Sequence, residues 1–201
     1  MMEANKIKQQ VVDFSKRAFA QKLFAGTSGN LSVFAREEGR IYITPSCVRY
    51  ETMQPDDVMV MDLSGNVYEG PHKPSSEWRL HTTVYAAYPE ISAIVHTHSP
   101  FATAYAVNHA EIPATLIEMF FFLGGAVPCA PYATPGTPEV GTFAIPLLAG
   151  KGGCLLANHG VLAVGKDMEQ AYLRAEYIED AAKIYSIAKL VGAPVLLDGL
   201  E

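Results

Sequence analysis

Two imidazoles stand two residues apart at the end of an apolar, β-branched run in Ile94-Val95-His96-Thr97-His98-Ser99. Alternate residues of a strand share a face, so His96 and His98 project together. Neutral imidazole nitrogens so placed chelate zinc and its first-row neighbours. A second short apolar run, Cys154-Leu155-Leu156-Ala157, leads into Asn158-His159-Gly160, which makes His159 the candidate third ligand. Both runs place histidine at a strand end, where loops expose function. Taken alone, a His-x-His pair is also compatible with a purely structural role. His72, His81 and His109 sit in polar or helical contexts and are expected at the surface or as outer neighbours of the site.

Three short polar stretches suggest an anion: Thr27-Ser28-Gly29-Asn30, Thr44-Pro45-Ser46-Cys47 and Ser75-Ser76. Hydroxyls, an amide and free backbone N–H groups near a helix start are what a phosphate requires. Singly, each stretch reads equally as a tight turn or a plain helix cap. Beside a candidate metal site they suggest a phosphorylated substrate. Glu77, expected in the first turn of the helix that follows, can serve as a general base or as a fourth ligand.

The wider composition limits the alternatives. Of 201 residues, 49% are hydrophobic and 18% charged, which excludes a disordered chain and predicts one α/β domain over residues 1–201. The net charge of −6, without a Lys/Arg cluster, argues against nucleic acid as partner. No run is long and apolar enough for a membrane span, and the N-terminal residues lack the pattern of a signal peptide. Three cysteines, Cys47, Cys129 and Cys154, fit reduced thiols, so a cytoplasmic protein is expected.

The elements that must hold these residues follow from periodicity. Apolar positions in residues 5–23 predict an amphipathic helix. Strands are expected over 31–34, 41–43, 58–62 and 67–69, with a helical turn at 54–57, giving an antiparallel meander. A helix is expected from the Pro74-Ser75-Ser76-Glu77 entry to residue 87, with serine as its cap. A strand over 91–96 and a helix over 100–107 come next, while 112–123 reads as either strand or helix. The proline-rich residues 127–138 are unsuited to a central strand. Helices over 139–149 and 168–191 enclose strands at 153–157 and 160–164.

Five motifs in order, Gly-Thr-Ser-Gly-Asn-Leu-Ser at 26–32, Pro-Ser-Ser-Glu at 74–77, His-Thr-His at 96–98, Cys-Ala-Pro-Tyr-Ala-Thr-Pro-Gly-Thr at 129–137 and Asn-His-Gly at 158–160, give the chain its resemblance to the class II aldolase/adducin family. The resemblance implies a three-layer α/β fold around a mostly antiparallel sheet, assembled as a C4 homotetramer with active sites between subunits. It implies a divalent metal, zinc or alternatively manganese, on His96, His98 and His159, with Glu77 as catalytic acid/base and additional ligand. Substrate phosphate would rest on Asn30, Ser46, Ser75 and Ser76, with Thr27, Gly29 and Cys47 lining the pocket. The implied reaction is cleavage of a ketose 1-phosphate, such as L-fuculose 1-phosphate or a related deoxypentulose 1-phosphate, through a metal-stabilised enediolate to dihydroxyacetone phosphate and an aldehyde. Other activities of the family are ribulose-phosphate 4-epimerisation, for which Asp would be expected at Glu77, and 3-oxo-tetronate phosphate decarboxylation; a third outcome is a non-catalytic adducin-like scaffold. The chain departs from the family pattern at Cys47, where glycine is usual, and lacks a tyrosine within 115–120, leaving Tyr132 or Glu118 to protonate the aldehyde oxygen. Phe120, Phe121 and Phe122 are expected in core or interface packing, or else against an apolar aldehyde.

Overall fold

The computed structural model describes residues 2–199. Helix α1 (Met2–Ala20) leads into strands β1 (Asn30–Ala35), β2 (Arg40–Ile43), β3 (Met59–Met61) and β4 (Val67–Glu69). Then come α2 (Trp78–Ala87), β5 (Ala93–Thr97), α3 (Pro100–Val107), β6 (Cys129–Ala130), α4 (Glu139–Leu148), β7 (Gly153–Leu156), β8 (Gly160–Gly165) and α5 (Met168–Val191). The strands form one sheet in the order β4-β3-β2-β1-β5-β8-β7-β6. All neighbours run antiparallel except β6 with β7.

Period-two alternation divides the side chains of these strands between two cores. Leu31, Tyr42, Val60, Ala93, Val95, Leu155, Val161 and Ala163 pack under the apolar stripes of α1, α3 and α5. Phe34, Ile41, Ile43, Met59, Ile94, Leu156, Leu162 and Val164 pack under α2 and α4. The result is the expected three-layer arrangement. Polar contacts fix the helices: the Glu179 carboxylate of α5 accepts from the Phe101 and Ala102 amides at the start of α3 (3.0 and 2.8 Å). Asp167 caps α5 by accepting from the Gln170 amide. Arg36 donates to the carbonyls of Tyr85, Tyr88 and Ile91, tying the end of α2 to the approach of β5.

Three local expectations change. Helix α1 stops at Ala20, short of residue 23, because Lys22 adopts a left-handed φ of 63° and turns the chain. Leu23 and Phe24 keep the helical hydrophobic spacing but bury themselves from the turn instead. Helix α2 starts at Trp78, so Ser75 and Ser76 lie outside it and Glu77 occupies its N-cap position. The cause is that Pro74 pairs with Pro45 and the Ser75 amide donates to the Thr44 carbonyl, holding Ser75 against that loop while Ser76 and Glu77 form the turn that leads into the helix. Within residues 112–123, Ile112 pairs with Val127 and Met119–Leu123 forms a π-helical turn. The proline-rich segment contributes only the two-residue edge strand β6. Among the described residues, no helix is long and apolar enough to cross a membrane.

Candidate active site

Register brings the site together. Asn30, the first residue of β1, lies opposite His96 of β5, and His96 lies opposite Leu162 of β8. Because Leu31 and Val95 face the α1/α3/α5 core, Asn30 and His96 face α2. There Glu77, at the start of α2, meets them. His98 lies one residue beyond β5, its amide donating to the Leu23 carbonyl (3.2 Å). His159 sits in the tight turn between β7 and β8, where Asn158 takes a left-handed φ of 54° and accepts from His109 Nε2. Gly160 permits that turn to lie against β5, since a Cβ would collide with the Thr97 carbonyl.

A cavity of ≈ 380 Å³ opens over this cluster. It is lined by Thr27, Gly29 and Asn30, by Ser46 and Cys47, by Ser75, Ser76 and Glu77, and by His98 and His159. Ser28, Pro45 and Pro135 complete the wall. Every residue expected to hold metal or phosphate is therefore here except His96, which is fully buried beneath it. No lysine or arginine is among the lining residues, so an anion in the cavity would be met by neutral hydroxyl and amide donors and by whatever charge the histidine cluster carries. The loops are cross-braced. The Tyr50 hydroxyl donates to the Gly29 carbonyl (2.6 Å), and the Ser46 amide donates to the Lys73 carbonyl (2.9 Å). Gly29, at φ 81°, is needed because a Cβ would run into the Phe24 ring. Cys47 holds φ 62°, a region that costs a non-glycine residue strain, at the position where the family resemblance calls for glycine.

Tyr132, Glu118 and the three phenylalanines do not line the cavity. Phe122 stacks on Tyr177 at 4.6 Å, and Phe121 is 69% exposed. His72 pairs with Asp57 (2.9 Å) at the surface, away from the cluster. His81 departs from the surface alternative: it is fully buried between Asn30 and Ser32.

The cluster's donor set fits a cation. One atom each from Glu77, His96, His98 and His159 lie within 4.8 Å of one another. His96 Nδ1 can only donate to the Val161 carbonyl at 2.8 Å, so the ring's second proton or, in the neutral form, its lone pair falls on Nε2. That Nε2 lies 3.0 Å from His98 Nε2 and 3.0 Å from Glu77 Oε2, so acceptors converge and a proton or cation must satisfy them. Tetrahedral zinc asks for ligand atoms about 3.4 Å apart, and these two contacts at 3.0 Å are a few tenths of an ångström shorter. Glu77 Oε1 completes the set at 2.9 Å from His159 Nε2. Electrostatics follow the same geometry. Burial disfavours ionisation of Glu77, but the charges and hydrogen bonds of His96 and His159 outweigh it and hold the carboxyl far below its ordinary range. Burial disfavours a charged His96 too, and Glu77 overcomes it, raising that ring's proton affinity. Burial, reinforced by His96 and His159, pushes His98 down to about 3, so it presents a free lone pair at neutral pH.

Known proteins resemble this chain over nearly its whole length. The family described as Class II Aldolase and Adducin N-terminal domain matches residues 9–186. A 5-deoxy-D-ribulose 1-phosphate aldolase from Bacillus thuringiensis serovar kurstaki is 39% identical, covering 98% of this chain and 92% of the relative. An L-fuculose phosphate aldolase from Escherichia coli K12 is 34% identical, over 96% of this chain and 89% of its own. A solved L-fuculose 1-phosphate aldolase superposes with a TM-score of 0.91 at 40% identity, over 96% of this chain and 90% of that one.

Proposed function

The chain belongs to the class II aldolase and adducin family, and from its His/Glu cluster we propose a metal-dependent aldehyde-lyase that cleaves a ketose 1-phosphate to dihydroxyacetone phosphate and an aldehyde. The observation that carries this reading is the convergence of Glu77, His96, His98 and His159 at one wall of a cavity whose other walls are hydroxyl-bearing loops. L-fuculose 1-phosphate and deoxypentulose 1-phosphates are the favoured substrates, as compounds on which relatives are named to act.

His96, His98 and His159 would hold the cation, zinc by preference and manganese as the alternative, with Glu77 able to join them. Bound there, it supplies Lewis acidity that offsets negative charge developing on the substrate oxygens. The side chains do the rest. Ser46, Ser75 and Ser76, with Asn30, grip the phosphate, while Thr27, Gly29 and Cys47 shape the loop around it. This grip supplies binding energy and orientation remote from the bond that breaks. Glu77, ionised and aimed by Asn30, moves a proton to and from C3 of the dihydroxyacetone phosphate half once the C3–C4 bond opens.

The whole chain acts as one domain in this reading, within a cytoplasmic C4 tetramer that joins active sites at subunit boundaries. Exposed Phe121, Phe143, Ile184 and Ile187 support such burial, and the free cysteines suit a reducing compartment. The test is a panel of ketose 1-phosphates and ribulose 5-phosphate presented to metal-loaded protein. Release of dihydroxyacetone phosphate from fuculose 1-phosphate or a deoxypentulose 1-phosphate is expected. Epimer formation or carbon dioxide release without it assigns a different reaction of the family; inactivity without stoichiometric metal assigns a scaffold.

A further inference from the structure

Behind Glu77 and Asn30 runs a chain of buried polar groups, His81, Ser32 and Tyr85, that no step above uses. Glu77, His81 and Tyr85 are spaced four residues apart, Glu77 at the N-cap of α2 and the other two on one stripe of the helix, and Asn30 and Ser32 face them from β1. Asn30, Ser32 and His81 are 3%, 0% and 0% exposed, and Tyr85 is 1% exposed. Asn30 Nδ2 donates to Glu77 Oε2 at 2.8 Å, and His81 Nε2 lies 2.5 Å from Asn30 Oδ1. His81 Nδ1 is 2.7 Å from Ser32 Oγ, and the Tyr85 hydroxyl is 2.7 Å from that same Oγ and 3.0 Å from the Ser32 carbonyl.

Donor and acceptor rules give this chain one direction. The carboxylate accepts only, so the Asn30 amide must turn its NH2 toward Glu77 and its oxygen toward His81. That oxygen accepts, so His81 carries its proton on Nε2. The bare Nδ1 then accepts from the Ser32 hydroxyl, and the single Tyr85 hydroxyl proton is shared between that hydroxyl's oxygen and the Ser32 carbonyl. Reversing the amide would set its oxygen against the carboxylate and lose that bond, so the carboxylate fixes the amide and, through it, the His81 tautomer. Burial, with the charge of His96 nearby, holds the proton affinity of His81 down to about 3, which keeps the ring neutral.

We propose that His81 is a positioning residue for the proposed lyase reaction: it anchors the Asn30 side chain by its amide oxygen, and thereby the position of the Glu77 carboxylate, with Ser32 and Tyr85 holding the His81 ring. An apolar side chain would pack in that buried space without the desolvation cost of imidazole, so packing does not call for histidine here. The inference rests on the role of Glu77 proposed above. It gives Asn30 a second duty, since its oxygen and one N–H are committed, leaving one N–H for the phosphate.

Two readouts test it on the full chain. Nitrogen NMR of the wild-type protein should show His81 as a neutral ring protonated on Nε2, a result that needs no variant. Kinetics of His81→Phe on whichever ketose 1-phosphate the wild type cleaves should show kcat lowered about 10–100-fold, the range for lost outer partners of site residues, with KM unchanged. The double variant Asn30→Ala/His81→Phe should lose no more kcat than Asn30→Ala alone. His81→Gln, which keeps an N–H donor, should recover part of the loss. An Nδ1-protonated ring, wild-type kcat in His81→Phe, or fully additive losses would overturn the positioning role. Undiminished cleavage by Glu77→Gln, by contrast, is a failure of the proposed role of Glu77 and leaves the NMR result standing as the test of the His81–Asn30 lock.

Discussion

The two faces of the same central strands have opposite characters. On the α1/α3/α5 face, Leu31, Val95 and Val161 meet only apolar neighbours and are fully buried. One residue along, on the α2/α4 face, Asn30, Ser32 and His96 are equally buried and yet fully engaged in polar contacts. The pleat of the sheet makes this division, because neighbouring residues of one strand must point in opposite directions. The apolar face stabilises the strands, and the polar face uses that rigidity to hold ligand atoms in place. A buried polar cluster is tolerable only because its hydrogen bonds are nearly all made.

Substitutions on the two faces should therefore separate activity from stability. The largest effect is expected for His96→Ala on the polar face: stoichiometric metal and sugar-phosphate cleavage are both lost, while circular dichroism and size-exclusion behaviour stay as in the wild type. Next comes Glu77→Gln, which should keep metal by elemental analysis but slow proton exchange on dihydroxyacetone phosphate by about 10²–10⁴-fold. On the apolar face, Leu31→Ala should reverse the pattern, costing about 2–5 kcal/mol in denaturant unfolding while leaving KM in place. The smallest effect belongs to Cys47→Gly. Releasing the left-handed strain at φ 62° should add about 1 kcal/mol of stability, and the variant should no longer react at this exposed position with a thiol reagent.

Much of this contrast was legible in the sequence. The His-x-His pair closing a β-branched run located β5 and two members of the His/Glu cluster, and the span of α5 agrees with its periodicity at both ends. The family and the three-layer fold expected from the motif order are those found. Helix boundaries set by long-range pairing were less legible. Ser75 looks like a cap locally, but its amide is taken by Thr44, thirty-one positions earlier. The lock behind Glu77 was missed for a similar reason: Asn-x-Ser on β1 and the Glu-x-x-x-His-x-x-x-Tyr pattern of residues 77–85 acquire meaning only when register lays one over the other. The four-residue spacing of those three polar groups was the available signal, and it is a helical stripe that the hydrophobic pattern alone does not pick out. Cys47 was legible as a departure, and its positive φ gives the physical reason glycine suits that position.

The most direct test of the central claim, that the polar face holds a cation and a carboxylate for proton transfer at a sugar-phosphate carbon, is solvent deuterium incorporation into dihydroxyacetone phosphate. It should be followed with the protein metal-loaded, chelator-stripped and reloaded. Exchange that requires the metal, returns on reloading and fails in Glu77→Gln is the expected result. Exchange undiminished after stripping, or absent from the loaded wild-type protein, would contradict the account.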